Sequence, residues 1–322
     1  MKVGWIGVGR MGMQMVIRLL KADYQMAVWN RTKAKAAAAG AEGATVVADI
    51  AELGGADVLF IMVLAGKDLL DVCFGSNGIY RDGSNGRPKL LVDCSTIGMD
   101  ESAEVRTRLA AIGVRYLAAP VSGNPKCIIA GKLSCVVSGA RKDFEDVKPL
   151  LLAFAPRGAV YVGEGELARM CKIAVNLLLG VINENLMEVT LLANRAGIPR
   201  HAFLEFVNNS VVGSIFTRYK SPALVNLDWT TTFHPAGMRK DMDLGLKIAH
   251  ELDVPMPVAS ATRELFQTHF GLAKLQADPQ AYLQKDFAAL FESMALMAGI
   301  KLQSENVPVS DGLEPEPESL AR

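Results

Sequence analysis

The chain lacks any excess of charge of one sign, and that narrows its partners. Lys+Arg and Asp+Glu number 34 each, for a formal net charge of zero at pH 7. A nucleic acid or an anionic membrane selects a basic surface, so neither is expected as a partner. Cysteine is scarce. The five residues (Cys73, Cys94, Cys127, Cys135, Cys171) are scattered, odd in number and without C-x-x-C spacing. They read as reduced, mostly structural thiols of a cytosolic enzyme rather than a disulfide framework. The four histidines (His201, His234, His250, His269) form no H-E-x-x-H or other ligand pattern, so no metal site is expected. Nothing at the N-terminus resembles a signal peptide, and no apolar run reaches the length of a membrane span. A cytoplasmic location follows as the expectation.

Proline is also absent between Pro156 and Pro199. Gly163-Glu164-Gly165 opens this stretch and Gly197-Ile198-Pro199 closes it, the usual breakers at helix ends. A helix over 166–195 of roughly 30 residues would span on the order of 45 Å. It is apolar around most of its circumference (Leu167, Met170, Ile173, Leu177, Val181, Leu186 among others), so burial is expected. Arg169, Lys172, Asn176 and Asn183 interrupt that surface within an arc of roughly 60° at about 100° per residue. Buried polar groups need partners. The stripe therefore either meets carboxylates and water at a domain interface, or lines a cleft with Lys172 and Asn176, at i and i+4, aimed at one ligand.

What precedes this helix alternates between strands and helices. Residues 2–6 read as a strand, Gly7-Val8-Gly9-Arg10-Met11-Gly12 follows at once, an amphipathic run leads to Lys21, and 25–29 is a second strand. Strand, glycine turn, helix and strand within about 30 residues is the setting in which G-x-G-x-x-G marks a dinucleotide site. Gly7 makes the tight turn, Gly9 lets the backbone approach a pyrophosphate, and Gly12 lets helix and strand pack. Arg10 and Met11 open the helix whose N–H groups face the phosphates. At the end of the second strand an NAD enzyme usually carries Asp or Glu for the ribose hydroxyls. This chain has Asn30-Arg31-Thr32, with Lys35 one turn on. No carboxylate repels a 2′-phosphate, and a guanidinium, a hydroxyl and an ammonium stand ready to hold one. NADP(H) is favoured over NAD(H); the competing reading leaves Arg31 and Lys35 as solvated surface charges.

Residues 57–63 form a near-continuous apolar run, as expected of a parallel strand covered on both faces. Val63, at its end, and the adjoining Leu64 join the cofactor candidates. Further strands are expected at 90–93, 114–118, 133–138 and 159–162, with helices at 67–74, 99–112 and 141–154. Together they make a doubly wound Rossmann sheet whose ligands gather outside the carboxyl ends of its strands. Thr96 and the loop Pro120-Val121-Ser122-Gly123-Asn124 follow two such ends. Ser122, with backbone N–H groups near Gly123 and Asn124, is placed to hold a substrate carboxylate, unless it serves turn chemistry alone. After 166 the chain turns all-helical, with helices expected at 199–208, 235–252, 257–271 and 281–298. The expected organisation is an NADP-binding α/β domain over 1–165, a helical substrate and dimerisation domain over 166–300 joined by the long helix, and a disordered acidic tail over 301–322.

Taken together these residues resemble the β-hydroxyacid dehydrogenases. The cofactor motif at Gly7 to Gly12, Asp93-Cys94-Ser95-Thr96 with Ala119-Pro120-Val121-Ser122-Gly123, Gly163-x-Gly165 followed by Lys172 and Asn176, and Lys240-Asp241 occur in the family's order over about residues 2 to 300. The resemblance implies that Lys172 is the catalytic lysine and that Asn176 places the substrate. It implies that Ser122 and Gly123 bind the substrate carboxylate, that Thr96 lies by the nicotinamide ribose and that Lys240 reaches the cofactor. It further implies homodimers or homotetramers, and an NADP(H)-linked interconversion of a short 3-hydroxy acid and its semialdehyde or oxo acid. An imine reductase-like enzyme and a non-catalytic NADP-binding module are the alternatives; the Lys172–Asn176 pair speaks against both. One departure stands out. Where the family carries a second glycine and small residues, this chain reads Asn124-Pro125-Lys126-Cys127-Ile128. Lys126 is either a reader of a second anionic group or a solvated loop residue.

Overall fold

The first strand, β1 (Lys2–Ile6), is apolar on both faces and lies in the middle of a sheet. It is followed by α1 (Arg10–Lys21), β2 (Gln25–Trp29), α2 (Lys33–Ala41), β3 (Thr45–Val46), β4 (Val58–Ile61), α3 (Gly66–Phe74), β5 (Leu90–Asp93), α4 (Met99–Ala111) and β6 (Arg115–Ala118). The computed structural model describes residues 1–83 and 86–314. Six strands form a sheet in the order β3-β2-β1-β4-β5-β6, parallel throughout. β4 and β5 are buried along their whole length, which explains their uninterrupted apolar sequence. Winding reverses between β1 and β4, the switch point at which open α/β sheets hold their ligands. Beneath it Trp5 stacks on Phe60 at 5.4 Å between ring centroids, and Phe154 meets both rings edge-on.

The next strands do not extend this sheet, contrary to the single sheet expected. β7 (Val121–Ser122), β8 (Ser134–Val137) and β9 (Ala159–Tyr161) form a separate three-stranded sheet, with α5 (Pro125–Ile129) and α6 (Arg141–Phe154) between them. β7 runs antiparallel to β8, and β9 parallel. Pro120 has no N–H to give a ladder and ends β6. An isolated antiparallel bridge, Ala118 to Ser138, links the two sheets.

The chain divides into two compact units, and the division by internal contacts falls after Lys172, inside α7 (Leu167–Arg195). The second unit holds the rest of α7, then α8 (Arg200–Asn209), α9 (Ile215–Asn226), α10 (Pro235–Glu251), α11 (Pro257–Ala273), α12 (Pro279–Leu283) and α13 (Leu290–Met297). Its core gathers Leu177, Met187, Leu204, Met238, Phe266 and Phe291. The helix expected over 281–298 is broken, because Asp286 is buried, pairs with Lys220 and caps the 3₁₀ turn Phe287–Ala289. α9 was not expected at all.

The tail also differs from expectation. Residues 303–307 are stitched to the helices: Glu305 accepts from the backbone N–H of Arg200 at 2.7 Å and of His201 at 3.0 Å, and Asn226 exchanges two bonds with Val307 at 2.8 and 3.2 Å. Composition suggested disorder, but buried partners supply the order. Residues 315–322 of the expected tail lie outside the described residues. α7 corrects a further expectation: by length and composition it is apolar enough to cross a bilayer, although half of its most apolar window is buried in the protein.

Candidate active site

The glycine turn carries its own argument. Gly7 has φ +95°, and a Cβ there would lie 2.0 Å from the Met62 carbonyl oxygen; at Gly12 it would lie 2.1 Å from the Gly7 carbonyl oxygen. Both glycines are demanded by the fold. Gly9 is not: beyond its own chain neighbours, a Cβ there would meet no atom of the described residues within 4 Å, and its φ of −72° suits any residue. Space that the protein leaves open at the mouth of a helix is space for a ligand. α1 has no side-chain cap and no acid in its first turn, so its N–H groups and dipole are available to an anion. Arg10 is exposed and Met11 half-buried on that turn. A dinucleotide pyrophosphate fits this donor set.

At the end of β2, Asn30 braces the turn. Its Oδ1 accepts from Val8 N at 3.1 Å while its Nδ2 donates to the Thr32 carbonyl at 3.0 Å. Arg31, predicted to hold a 2′-phosphate, is four-fifths exposed and donates to Asp68 Oδ1 at 3.2 Å. Such an exposed pair contributes about 0–1 kcal/mol, so the guanidinium gives up little in turning to a phosphate. Thr32 is the N-cap of α2 but makes no side-chain cap bond, and Lys35 is exposed. At the end of β4, Val63 N donates to Ser95 Oγ at 2.9 Å, which ties the β4 and β5 ends together. Leu64 is exposed and Thr96 half-buried. The predicted cofactor residues of the first unit therefore gather at the carboxyl ends of adjacent parallel strands.

Of the polar stripe on α7, Arg169 proves structural. Buried outright, it donates to Asp93 and the Ser95 carbonyl, to Tyr116 Oη at 2.8 Å and to Ser102 Oγ at 3.1 Å. Burial alone would lower its pKa, but Asp93 and Tyr116 hold it above the ordinary value. A buried pair of this kind is expensive to break, about 3–5 kcal/mol. It anchors the start of α7 to the end of β5, which is the carboxylate-partner reading of the stripe realised at one residue. Burial also raises the Cys73, Cys94 and Cys135 thiols, as expected of structural cysteines.

Lys172 follows one turn later and is buried. Asn176 lies a further turn on and is buried too, its Nδ2 donating to Asp241 Oδ2 at 2.6 Å. Asp241 is buried on α10, and its Oδ1 lies 3.2 Å from Lys240 Nζ. The second unit thus brings together Asn176 and the Lys240-Asp241 motif, 65 residues apart, through a carboxylate. Sequence reasoning named Asp241 only as the neighbour of Lys240; here it fixes which way the Asn176 amide faces. Asn183 is buried with no partner for its Nδ2 among the described residues.

In the second sheet, Ser122 is half-buried and Gly123 exposed at the end of β7. Gly123 has φ +140°, and a Cβ there would lie 2.8 Å from Leu133 Cδ1, so glycine is required. The departure loop, which sequence alone left without structure, is the short helix α5. Asn124 caps it, accepting from Cys127 N at 3.0 Å, and Lys126 is exposed. The Asn124 Nδ2 is buried with no partner among the described residues, a condition that costs about 1–3 kcal/mol.

Comparison with known proteins agrees with this arrangement. Residues 2–163 match the family model of the NAD binding domain of 6-phosphogluconate dehydrogenase, and residues 166–285 match that of the NADP-dependent 3-hydroxyisobutyrate dehydrogenase. Glyoxylate/succinic semialdehyde reductase 2 of Arabidopsis thaliana is 28% identical over 91% of this chain and 79% of its own length. The cytokine-like nuclear factor N-PAC of Homo sapiens is 29% identical over 87% of this chain, which spans half of that longer relative. The crystal structure of 3-hydroxyisobutyrate dehydrogenase from Salmonella typhimurium superposes with a TM-score of 0.77 at 26% identity, over 90% of this chain and 99% of that one. With a glycine turn shaped for a dinucleotide, a Rossmann sheet and a helical unit behind one long helix, the chain belongs to the β-hydroxyacid dehydrogenase family of NAD(P)-dependent oxidoreductases.

Proposed function

We propose that the protein is an NADP(H)-dependent enzyme interconverting a short 3-hydroxy acid and its semialdehyde or 3-oxo acid. The observation that carries this reading is Lys172, a buried ammonium one turn above an asparagine whose amide is locked by Asp241. The names of the relatives, short aldehyde acids among their substrates, point the same way. The nicotinamide, when bound, supplies or accepts the hydride. Lys172 gives a proton from Nζ to the substrate oxygen in reduction, and its neutral amine takes that proton back in oxidation. Asn176 orients the reacting oxygen, Asp241 is its positioning residue, and Ser122 with the backbone at Gly123 and Asn124 receives the carboxylate. Thr96 and Lys240 remain candidates for cofactor contact. The test is NADPH oxidation with a panel of short semialdehyde acids; a protein that binds NADPH and reduces none of them overturns the reading.

Preference for NADP(H) rests on Arg31, Thr32 and Lys35. Losing one charged hydrogen bond costs about 1.5–3 kcal/mol. Arg31→Ala is therefore expected to weaken NADPH binding roughly tenfold or more, by the same arithmetic, and to leave NADH binding nearly unchanged. Equal affinity of the unaltered protein for both cofactors, measured by fluorescence titration, overturns the preference.

A homodimer or homotetramer belongs to the same proposal. α7 is not buried all round: Val175, Leu178, Ile182 and Leu192 are 39%, 57%, 37% and 71% exposed. With Asn185 and Val189 they recur at alternating steps of three and four, the 3.5-residue period of a helix seam. A second copy of the chain is the partner we assign to this stripe. Leu178→Glu combined with Ile182→Glu is expected to lower the mass found by light scattering to that of one chain; an unchanged mass for the pair of substitutions overturns the assignment. The free cysteines support a reducing compartment, and the cytoplasm is the one we propose.

A further inference from the structure

We propose that Arg169 is a positioning residue for the proton donor, its guanidinium fixing the turn of α7 that leads to Lys172 against the carboxyl end of β5; the inference rests on the reading of Lys172 as the general acid. By internal contacts Lys172 is the last residue of the first unit, the unit that also holds the glycine turn, Ser95 and Thr96. Arg169 lies three residues before it. Residues at i and i+3 share a helix face, and long helical side chains lean back over the turn that precedes them. The direction of the Lys172 side chain therefore depends on the turn that Arg169 holds. That guanidinium is 1% exposed and reaches β5, β6 and α4. It donates to the Asp93 carboxylate and the Ser95 carbonyl, to Tyr116 Oη at 2.8 Å and to Ser102 Oγ at 3.1 Å. Asp93 in turn accepts from Ser95 N at 2.9 Å, and Ser95 Oγ accepts from Val63 N at 2.9 Å. One planar group links the peptide leading to Thr96 with the turn leading to Lys172.

Attachment of the helix does not need this charge. Ser138 Oγ donates to the Gly165 carbonyl at 2.7 Å and accepts from Ala168 N at 3.1 Å, and Arg106 Nε donates to Glu166 Oε1 at 2.9 Å. These bonds secure where α7 starts. A buried ion pair is also a poor source of stability, since apolar residues of similar volume often serve as well or better. What the guanidinium adds is direction: a rigid fork bonded to Asp93, Ser95, Tyr116 and Ser102 at once admits one rotation of the turn about the helix axis. The scale is sufficient to matter. A side-chain tip stands roughly 5–6 Å from that axis, so a rotation of about 10° carries it about 1 Å. A displacement of that size costs about a hundredfold in rate.

The experiment compares the full, unaltered chain with Arg169→Lys, which keeps a cation beside Asp93 but loses the fork, and with the pair Arg169→Met and Asp93→Asn, which removes both charges. Val147→Ala, in a residue buried on α6, is the control for lost stability. NADPH oxidation by a four-carbon semialdehyde acid is followed in a single turnover, in H₂O and in D₂O, and thermal unfolding reads the fold. In both Arg169 variants the single-turnover rate is expected to fall about tenfold to a hundredfold, and its solvent isotope effect to rise as proton transfer becomes slower. KM for the acid and affinity for NADPH should stay within a few fold. Val147→Ala is expected to lower Tm and leave the rate and the isotope effect alone. A rate within about twofold of the unaltered protein in the Arg169 variants that fold overturns the inference while Lys172 stands as the donor. Failure of both to fold also overturns it, and leaves the guanidinium a role in the fold alone. Full turnover by Lys172→Ala overturns the reading of Lys172, and the inference with it.

Discussion

Lys172→Ala is expected to lower kcat by at least the 10²–10⁴-fold, roughly, that general acid–base catalysis contributes. Alanine keeps the helix, being its best former, and thermal unfolding checks that the fold survives the substitution. NADPH affinity should stay within a few fold, because the glycine turn and Arg31, which are distant in sequence, hold the dinucleotide in this reading. Lys172→Arg should be nearly as poor as alanine, since a guanidinium does not surrender its proton near neutral pH. Steady-state kinetics beside a cofactor titration decide the matter. Retention of a tenth or more of turnover in Lys172→Ala would move the proton donor elsewhere and return the residue to a structural role.

Gly9→Ala separates the demands of the fold from those of the ligand. The protein has room for the methyl group, and the backbone there is ordinary, so Tm should be unchanged or slightly raised. The pyrophosphate has no such room if it lies against that backbone. Overpacking costs about 1–3 kcal/mol, which is roughly a tenfold to hundredfold loss of NADPH affinity. Gly7→Ala and Gly12→Ala should behave in the opposite manner, with the fold itself failing, because their methyl groups would meet carbonyl oxygens at 2.0 and 2.1 Å. Thermal unfolding and fluorescence titration of the three variants give the contrast. Undiminished NADPH binding by Gly9→Ala would place the phosphates somewhere other than this turn.

What could be read from the sequence was local. β1, the glycine turn, α1 and β2 follow from residues within thirty of one another, and the observed β1 and β2 are the expected ones. The buried strands β4 and β5 were legible as apolar runs for the same reason. α9 was not, since Pro222 interrupts it and its start depends on a Ser214–Thr217 capping box. α2 was missed because its alanines define no apolar face. The second sheet pairs strands whose order cannot be inferred from their own residues. At the site, the glycines and Lys172 were visible as a pattern, whereas the bond from Asn176 to Asp241 spans 65 residues and leaves no trace in either segment. The same holds for Arg169, whose partner Asp93 is 76 residues away. Polar residues on a helix announce that partners exist; only the fold says which.

Arg200 gives this distinction a dimension in time. Its guanidinium is buried and donates to the carbonyls of Leu224, Val225 and Gln303. The last of these is made 103 residues after it. At about 5–20 residues per second, the ribosome needs roughly 5–20 s to deliver that carbonyl. During this interval the first unit has all of its chain and can close, while the helical unit holds a charged group without one of its acceptors. The nascent protein is therefore finished in two instalments, and the second waits on a stretch whose composition alone would have marked it as dispensable.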